Sequence, residues 1–148
     1  MRHINDAGLA LIKRYEGLRL EAYRCPAGIP TIGYGHTGSD VKEGMVITPG
    51  EADRFLENDL ARTQNGVSTV LELCPTSDNQ YAALVSFAFN LGLHALYGST
   101  LLKKHKARDY TAAAGEFCKW NKARVDGHLV PLAGLTARRE AERKLYVS

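Results

Sequence analysis

The sequence predicts an α+β fold: one helix, a small β hairpin, then about five further helices. Two observations carry that expectation. Capped apolar runs at helical spacing fill most of the 148 residues, while the stretch at about 18–47 is rich in Gly and Pro and lacks a helical period. No repeat, low-complexity tract or linker interrupts them, and a chain of this length makes about one domain with a real core. The expectation is a single domain over 1–148, with a small β lobe at about 18–47 and a helical lobe formed by the remainder.

The opening segment "NDAGLALIKRYEG" sets Leu9, Leu11, Ile12 and Tyr15 close to one helical face. Asn5 or Asp6 caps its start, and Gly17 ends it in a left-handed conformation. Past it, "AYRCPAGIPTIGYGHTGSD" alternates poorly, and short strands at about 21–25 and 30–35 form a small irregular sheet. "TPGE" at 48–51 is a capping box, with Thr48 as cap, Pro49 at the first helical position and Glu51 closing it. The helix that follows turns Phe55, Leu56 and Leu60 towards a core.

"SDNQYAALVSFAFNLG" repeats that logic: Ser77 caps, Gln80 closes, and the run to Phe89 is apolar on nearly all sides until Gly92 stops it. A helix of that kind is buried on most faces and runs through the middle of the domain. Ser99 caps "STLLKKHKA" and Asp109 caps "DYTAAAGEFCKWNKA". "RVDGHLVPLAG" reads as a loop before the last helix, "TARREAERKLY".

Hydrophobic content of 45% and charge of 24% sit in the ordinary soluble globular range. A formal net charge of +3 is mild; it suits an anionic partner such as a bacterial wall or a nucleic acid and proves neither. Cys25, Cys74 and Cys118 form no C-x-x-C pair, which points to free thiols in a reducing compartment and away from structural zinc. The histidines at 3, 36, 94, 105 and 128 show no metal-ligand spacing. The start "MRHINDAGLALIKRYEG" lacks a signal peptide's apolar core and no stretch approaches a membrane span, so the expected location is a cytoplasm.

The residues with chemical potential are each ambiguous alone. Glu16 ends the first helix, where the helix dipole is negative and a carboxylate is disfavoured, as suits a general acid; a solvated surface Glu is the plainer reading. Thr31 is an ordinary β-former in its strand, and His36 an ordinary structural histidine. Gly33 and Gly35 flank Tyr34 as a G-x-G far short of a dinucleotide fingerprint. Cys25 stands beside Arg24, which would favour a thiolate, yet no Cys-His-Asn arrangement makes it a protease nucleophile. The basic clusters "KKHKAR" at 103–108 and "ARRE…ERK" at 137–144 read as solvated helix faces, without the interleaved aromatics of a nucleic-acid surface.

Taken together, a first-helix Glu followed by "GLRLEAY", a hairpin with "TIGYGH", then "YAALVSFAFNLG" and "GLTARREAERKLY" resemble the phage-type lysozymes, the endolysins of glycoside hydrolase family 24. The resemblance covers almost the whole chain, with the motifs in the right order. It implies a lysozyme-like fold with a cleft between the β lobe and the helical lobe, lined by Phe89 and Asn90. It makes Glu16 the general acid and Thr31 a second catalytic residue, and it puts Cys25 where the family usually carries Asp, a departure from the pattern. His36 becomes a supporting residue near the catalytic Glu, and either Arg138 or Arg139 the arginine that pairs with it.

The implied reaction is hydrolysis of the β-1,4 bond between N-acetylmuramic acid and N-acetylglucosamine in bacterial peptidoglycan, without metal or cofactor. Such a reaction needs a protonated acid on the leaving oxygen and a second group that stabilises charge or activates water. The implied biology is a monomer with no nucleic-acid partner, held in the host cytoplasm until a phage holin opens the membrane and lets it reach the periplasm and wall. The rival readings are a lytic transglycosylase and a wall-binding homologue impaired by the Asp-to-Cys change.

Overall fold

The computed structural model describes residues 2–148. Helix α1 spans Asp6–Glu16; strands β1 (Arg19–Arg24), β2 (Pro30–Gly33) and β3 (His36–Thr37) follow. Helices α2 (Pro49–Val70), α3 (Asp78–Leu91), α4 (Leu93–Tyr97), α5 (Thr100–Lys106) and α6 (Tyr110–Glu116) come next. A 3-10 turn at Phe117–Lys119, strands β4 (Lys122–Val125) and β5 (His128–Pro131), and helix α7 (Ala133–Val147) complete the chain. The α+β class is as expected. Among the described residues no helix is long and apolar enough to cross a membrane.

The caps read from sequence are in place. The Gly8 N–H donates to Asn5 Oδ1 at 2.9 Å, so Asn5 is the cap of α1, and Gly17 closes it at φ +74°. The Glu51 N–H donates to Thr48 Oγ1 while the Thr48 N–H donates to Glu51 Oε1, both at 3.2 Å. Ser77 and Gln80 make the same reciprocal pair at 2.9 and 3.0 Å.

Three details differ from expectation. The β4–β5 hairpin, turned by Asp126 (φ +50°) and Gly127 (φ +82°), takes up most of the segment read as a loop at 124–134. It begins at Lys122, within the segment read as the Asp109-capped helix, which ends at Glu116. Asp-Gly between alternating residues is a hairpin signal with both φ positive. The last helix consequently starts at Ala133, and α4 is an additional short helix after Gly92. The first sheet has order β1-β2-β3, and its strands are shifted to 19–24 and 30–33.

The chain divides into two compact units: residues up to Leu11 together with Thr63–Ser148, and Ile12–Arg62. In the larger unit, every residue of α3 from Tyr81 to Ala88 is buried, as its all-round apolar character requires. Phe87 meets Phe117 edge-on at 5.8 Å between centroids, and Phe117 meets Tyr146 at 5.4 Å. Leu84 is fully buried, so truncation to Ala would cost about 2–5 kcal/mol.

The smaller unit has its own core of Ile32, Val41, Ile47 and Ala52, joined by Ala22, Tyr34, Met45 and Phe55. Antiparallel pairing sets Tyr23 opposite Thr31, and a bulge between Arg19 and Tyr23 shifts the register before Arg19 meets Gly33. The outer edge of β1 is covered rather than open. The Ala22 N–H donates to the Met45 carbonyl at 2.8 Å and the Ile47 N–H to that of Leu20 at 2.9 Å.

Candidate active site

Four of the residues singled out from sequence lie in the smaller unit: Glu16, Cys25, Thr31 and His36. Glu16 is the last residue of α1 and is half-buried. Gly35, at φ +81°, passes so close that a Cβ there would stand 3.1 Å from Glu16 Oε1. Only glycine combines that conformation with that clearance.

Cys25 begins the turn between β1 and β2: its N–H donates to the Ile29 carbonyl at 3.0 Å, and the Gly28 N–H donates to its carbonyl at 2.7 Å. The backbone N–H groups of Ile29 and then Ala27 hold the thiol below its ordinary pKa against slight desolvation, with a smaller contribution from the Thr31 hydroxyl. The arginine expected to favour a thiolate does not do so. Arg24 Nη1 donates instead to the Gly28 carbonyl at 2.9 Å, bracing the turn. Thr31 is buried at 4% exposure, and its Oγ1 donates to the Ile29 carbonyl at 2.9 Å. Cys25 and Thr31 are thus brought together, and the single Thr31 hydrogen has two claimants, the Ile29 carbonyl and the sulfur.

His36 is held between two carboxylates. Nδ1 lies 2.9 and 3.0 Å from the Asp59 oxygens, and Nε2 lies 3.1 Å from both oxygens of Asp40. Its ring stacks flat on Phe55 at 4.4 Å. Partial burial pushes the imidazole down, but the hydrogen bonds and charges of Asp59 and Asp40 outweigh it and raise the pKa. With an acceptor on each nitrogen the ring is set up as an imidazolium donating both N–H groups. Asp40 and Asp59 had escaped the sequence reading; Asp59 lies 23 positions beyond His36 and leaves no local signal.

The remaining candidates lie in the larger unit. Phe89 is half-buried and Asn90 exposed at the end of α3. Arg138 and Arg139, expected on a solvated face, are instead 3% and 0% exposed, and Glu142 beside them is fully buried. Ser86 Oγ donates to Glu142 Oε2 at 2.6 Å, and Arg138 Nε and Arg139 Nη2 reach the same oxygen at 3.3 and 3.2 Å. Arg139 Nη2 also donates to Asn90 Oδ1 at 2.8 Å. Arg139 Nε lies 2.8 Å from Glu142 Oε1 as an ion pair, although the N–H is not aimed for a hydrogen bond. Burial pushes the Glu142 carboxyl up and the Arg139 guanidinium down, and their mutual attraction opposes both shifts. The Arg-Arg-x-x-Glu spacing was the available signal, since i,i+3 and i,i+4 partners share a helix face.

In the other basic cluster His105 is likewise buried, bonded to Thr76 Oγ1 at 2.8 Å and the Tyr146 hydroxyl at 2.6 Å. Cys25, Cys74 and Cys118 are free thiols. Among the described residues, no group of three or more His, Cys, Asp or Glu side chains is placed to hold a metal ion.

The family described as Phage lysozyme matches residues 13–142 of this sequence. The endolysin of Acyrthosiphon pisum secondary endosymbiont phage 1 is 49% identical over 146 residues, covering 99% of both chains. That of Salmonella phage P22 is 40% identical over 152 aligned residues, covering 100% of both. Among solved structures, the muramidase domain of SpmX from Asticaccaulis excentricus superposes with a TM-score of 0.93 at 38% identity, covering 100% of this chain and 99% of that one. The endolysin from Escherichia coli O157:H7 phage FAHEc1 gives 0.93 at 40% identity, covering 99% of this chain and 94% of that one.

Proposed function

The chain belongs to the phage lysozyme family and is a lysozyme-type glycoside hydrolase, and we propose that its reaction is hydrolysis of the β-1,4 bond between N-acetylmuramic acid and N-acetylglucosamine in peptidoglycan. Glu16 is the general acid that protonates the leaving oxygen. Thr31 and Cys25 hold and activate the attacking water. With its hydrogen given to the Ile29 carbonyl, the Thr31 oxygen accepts from that water, and the sulfur takes the water's second hydrogen as attack proceeds. The observation that supports this division of labour is the amide-lined turn that lowers the Cys25 thiol beside Thr31. A thiol held towards its charged form stands in for the carboxylate that the family usually carries at this position.

In this reading the protein acts as an endolysin at the end of a phage cycle, reaching the wall once a separate holin has opened the membrane. A turbidity assay on purified peptidoglycan tests it. Glu16→Gln should keep the fold and lose about 10²–10⁴ of the rate, because an amide cannot donate the proton. Retention of more than about a tenth of the activity would remove Glu16 from the acid's role. Mass spectrometry of the products should find free reducing ends, and proton NMR during the first turnovers should find them formed as the inverted α-anomer. Anhydro sugars would identify a lytic transglycosylase instead.

A further inference from the structure

We propose that a cavity beside β1 is a subsite for the amino-acid head of a wall peptide, a group carrying an ammonium and a carboxylate on one carbon; this rests on the reading of the substrate as peptidoglycan. The cavity, about 150 Å³, is lined by Ala22, Tyr23, Arg24, Pro30 and Glu43. A space of about that size accepts a benzene-sized guest and is about half the lower limit of ordinary ligand pockets. Its volume matches one head group better than a disaccharide.

The chemistry of the walls selects the guest. Arg24 and Glu43 bring opposite charges to one small space, and no ion pair joins them among the described residues. Arg24 gives Nη1 to the Gly28 carbonyl, which holds the side chain in place and leaves the rest of its donor fork for a carboxylate. Glu43 accepts from an ammonium. An uncharged sugar ring answers neither group, and a simple carboxylate answers only Arg24. The zwitterionic head of a diamino-dicarboxylic residue, such as diaminopimelate in a stem peptide, answers both.

The site is built on fixed backbone. Arg24 pairs in register with Pro30, and the Ala22 N–H is bonded to the Met45 carbonyl at 2.8 Å, so the walls from β1 and β2 are preformed. The Arg19 guanidinium lies over the Tyr23 ring at 4.4 Å and steadies it. Tyr23 is opposite Thr31 and Arg24 precedes Cys25, so the subsite is carried by the same two strands and turn as the residues proposed for water activation.

The test compares peptidoglycan carrying its stem peptides with the same glycan stripped of them by an amidase. In Glu43→Gln, KM on the peptide-bearing glycan should rise about two- to five-fold, the worth of one exposed charge pair, with kcat and stripped-glycan kinetics unchanged. Equal KM for parent and variant, or the same loss on both glycans, overturns the subsite. A second measurement judges it independently of catalysis: NMR titration with synthetic L-Ala–D-Glu–diaminopimelate tripeptide. Shifts at the Ala22–Arg24 amides should appear in the parent and weaken in Glu43→Gln or when the ω-amine of the diaminopimelate residue is acetylated. No shift with millimolar peptide overturns the proposal. Failure of the parent to cleave either glycan would overturn the substrate reading instead, leaving the titration to decide the subsite.

Discussion

A Cβ added to Gly35 would stand 3.1 Å from Oε1 of Glu16, and Gly35 holds a left-handed conformation at φ +81°. The end of α1 and the turn before β3 are therefore fitted to each other around one carboxylate. Gly35→Ala should cost about 1–2 kcal/mol of stability from the left-handed backbone alone. It should also displace the Glu16 carboxylate and lower lytic activity about tenfold or more, since small misplacements of a reacting group are expensive. A thermal melt and a turbidity assay on the same preparation separate the two effects. Full activity in the alanine variant would mean that the fit around Glu16 is not needed.

Cys25 gives the second prediction. A thiol at the ordinary pKa of about 8.5 is only about 3% ionised at pH 7, so restoring a carboxylate has a ceiling of about 30-fold in rate. The amides of Ile29 and Ala27 already lower this thiol, so Cys25→Asp should raise activity at pH 7 by less than that ceiling. Selective alkylation of Cys25, with Cys74 and Cys118 first changed to Ser, should abolish lysis. Undiminished lysis by the fully alkylated protein would exclude the sulfur from the reaction.

The third prediction concerns His36, whose folded pKa is raised above the unfolded value of about 6.5 by Asp59 and Asp40. Its pairing is fully stabilising below pH 6.5, where the unfolded chain also carries the charge, and is lost as pH rises through the folded pKa. Asp59→Asn should destabilise by about 1.5–3 kcal/mol at pH 6, the range for a hydrogen bond to a charged group. The gap between parent and variant should narrow in alkaline buffer. A pH-independent gap in denaturation midpoints would show that packing against Phe55, rather than charge, carries the interaction.

His105 sets the opposite slope. Burial takes its pKa down to about 4, so the folded protein keeps it neutral while the unfolded chain protonates it near 6.5. Stability is full above pH 6.5 and falls as pH drops towards 4, with a ceiling of about 3 kcal/mol from this one group. His105→Asn keeps a polar side chain for Thr76 and Tyr146 but cannot titrate. It should be less stable at pH 7 and should flatten the acid limb of the stability profile. An acid limb of unchanged steepness in the asparagine variant would assign it to other groups.

The helices and their limits are legible in the amino-acid sequence because the interactions that set them are local. Thr48 with Glu51, Ser77 with Gln80, and the caps Ser99 and Asp109 each join residues three apart, and the apolar run of α3 announces its own burial. The hairpin of β4 and β5 was equally local, and Asp126-Gly127 is its mark. The charged groups are a different matter. In "ARREAERK" the same composition yields Arg138, Arg139 and Glu142 inside and Lys144 outside. Which charges are buried depends on Ser86 and Asn90, about fifty residues away in the chain, supplying hydrogen bonds that offset desolvation. Likewise, nothing near His36 in sequence foretells Asp59, and Arg24 beside Cys25 suggested a thiolate partner that the folded turn replaces with backbone amides. Hydrogen bonds spanning three or four residues can be read along the chain; solvation and charge depend on everything that packs around a group, which exists only once the chain has folded.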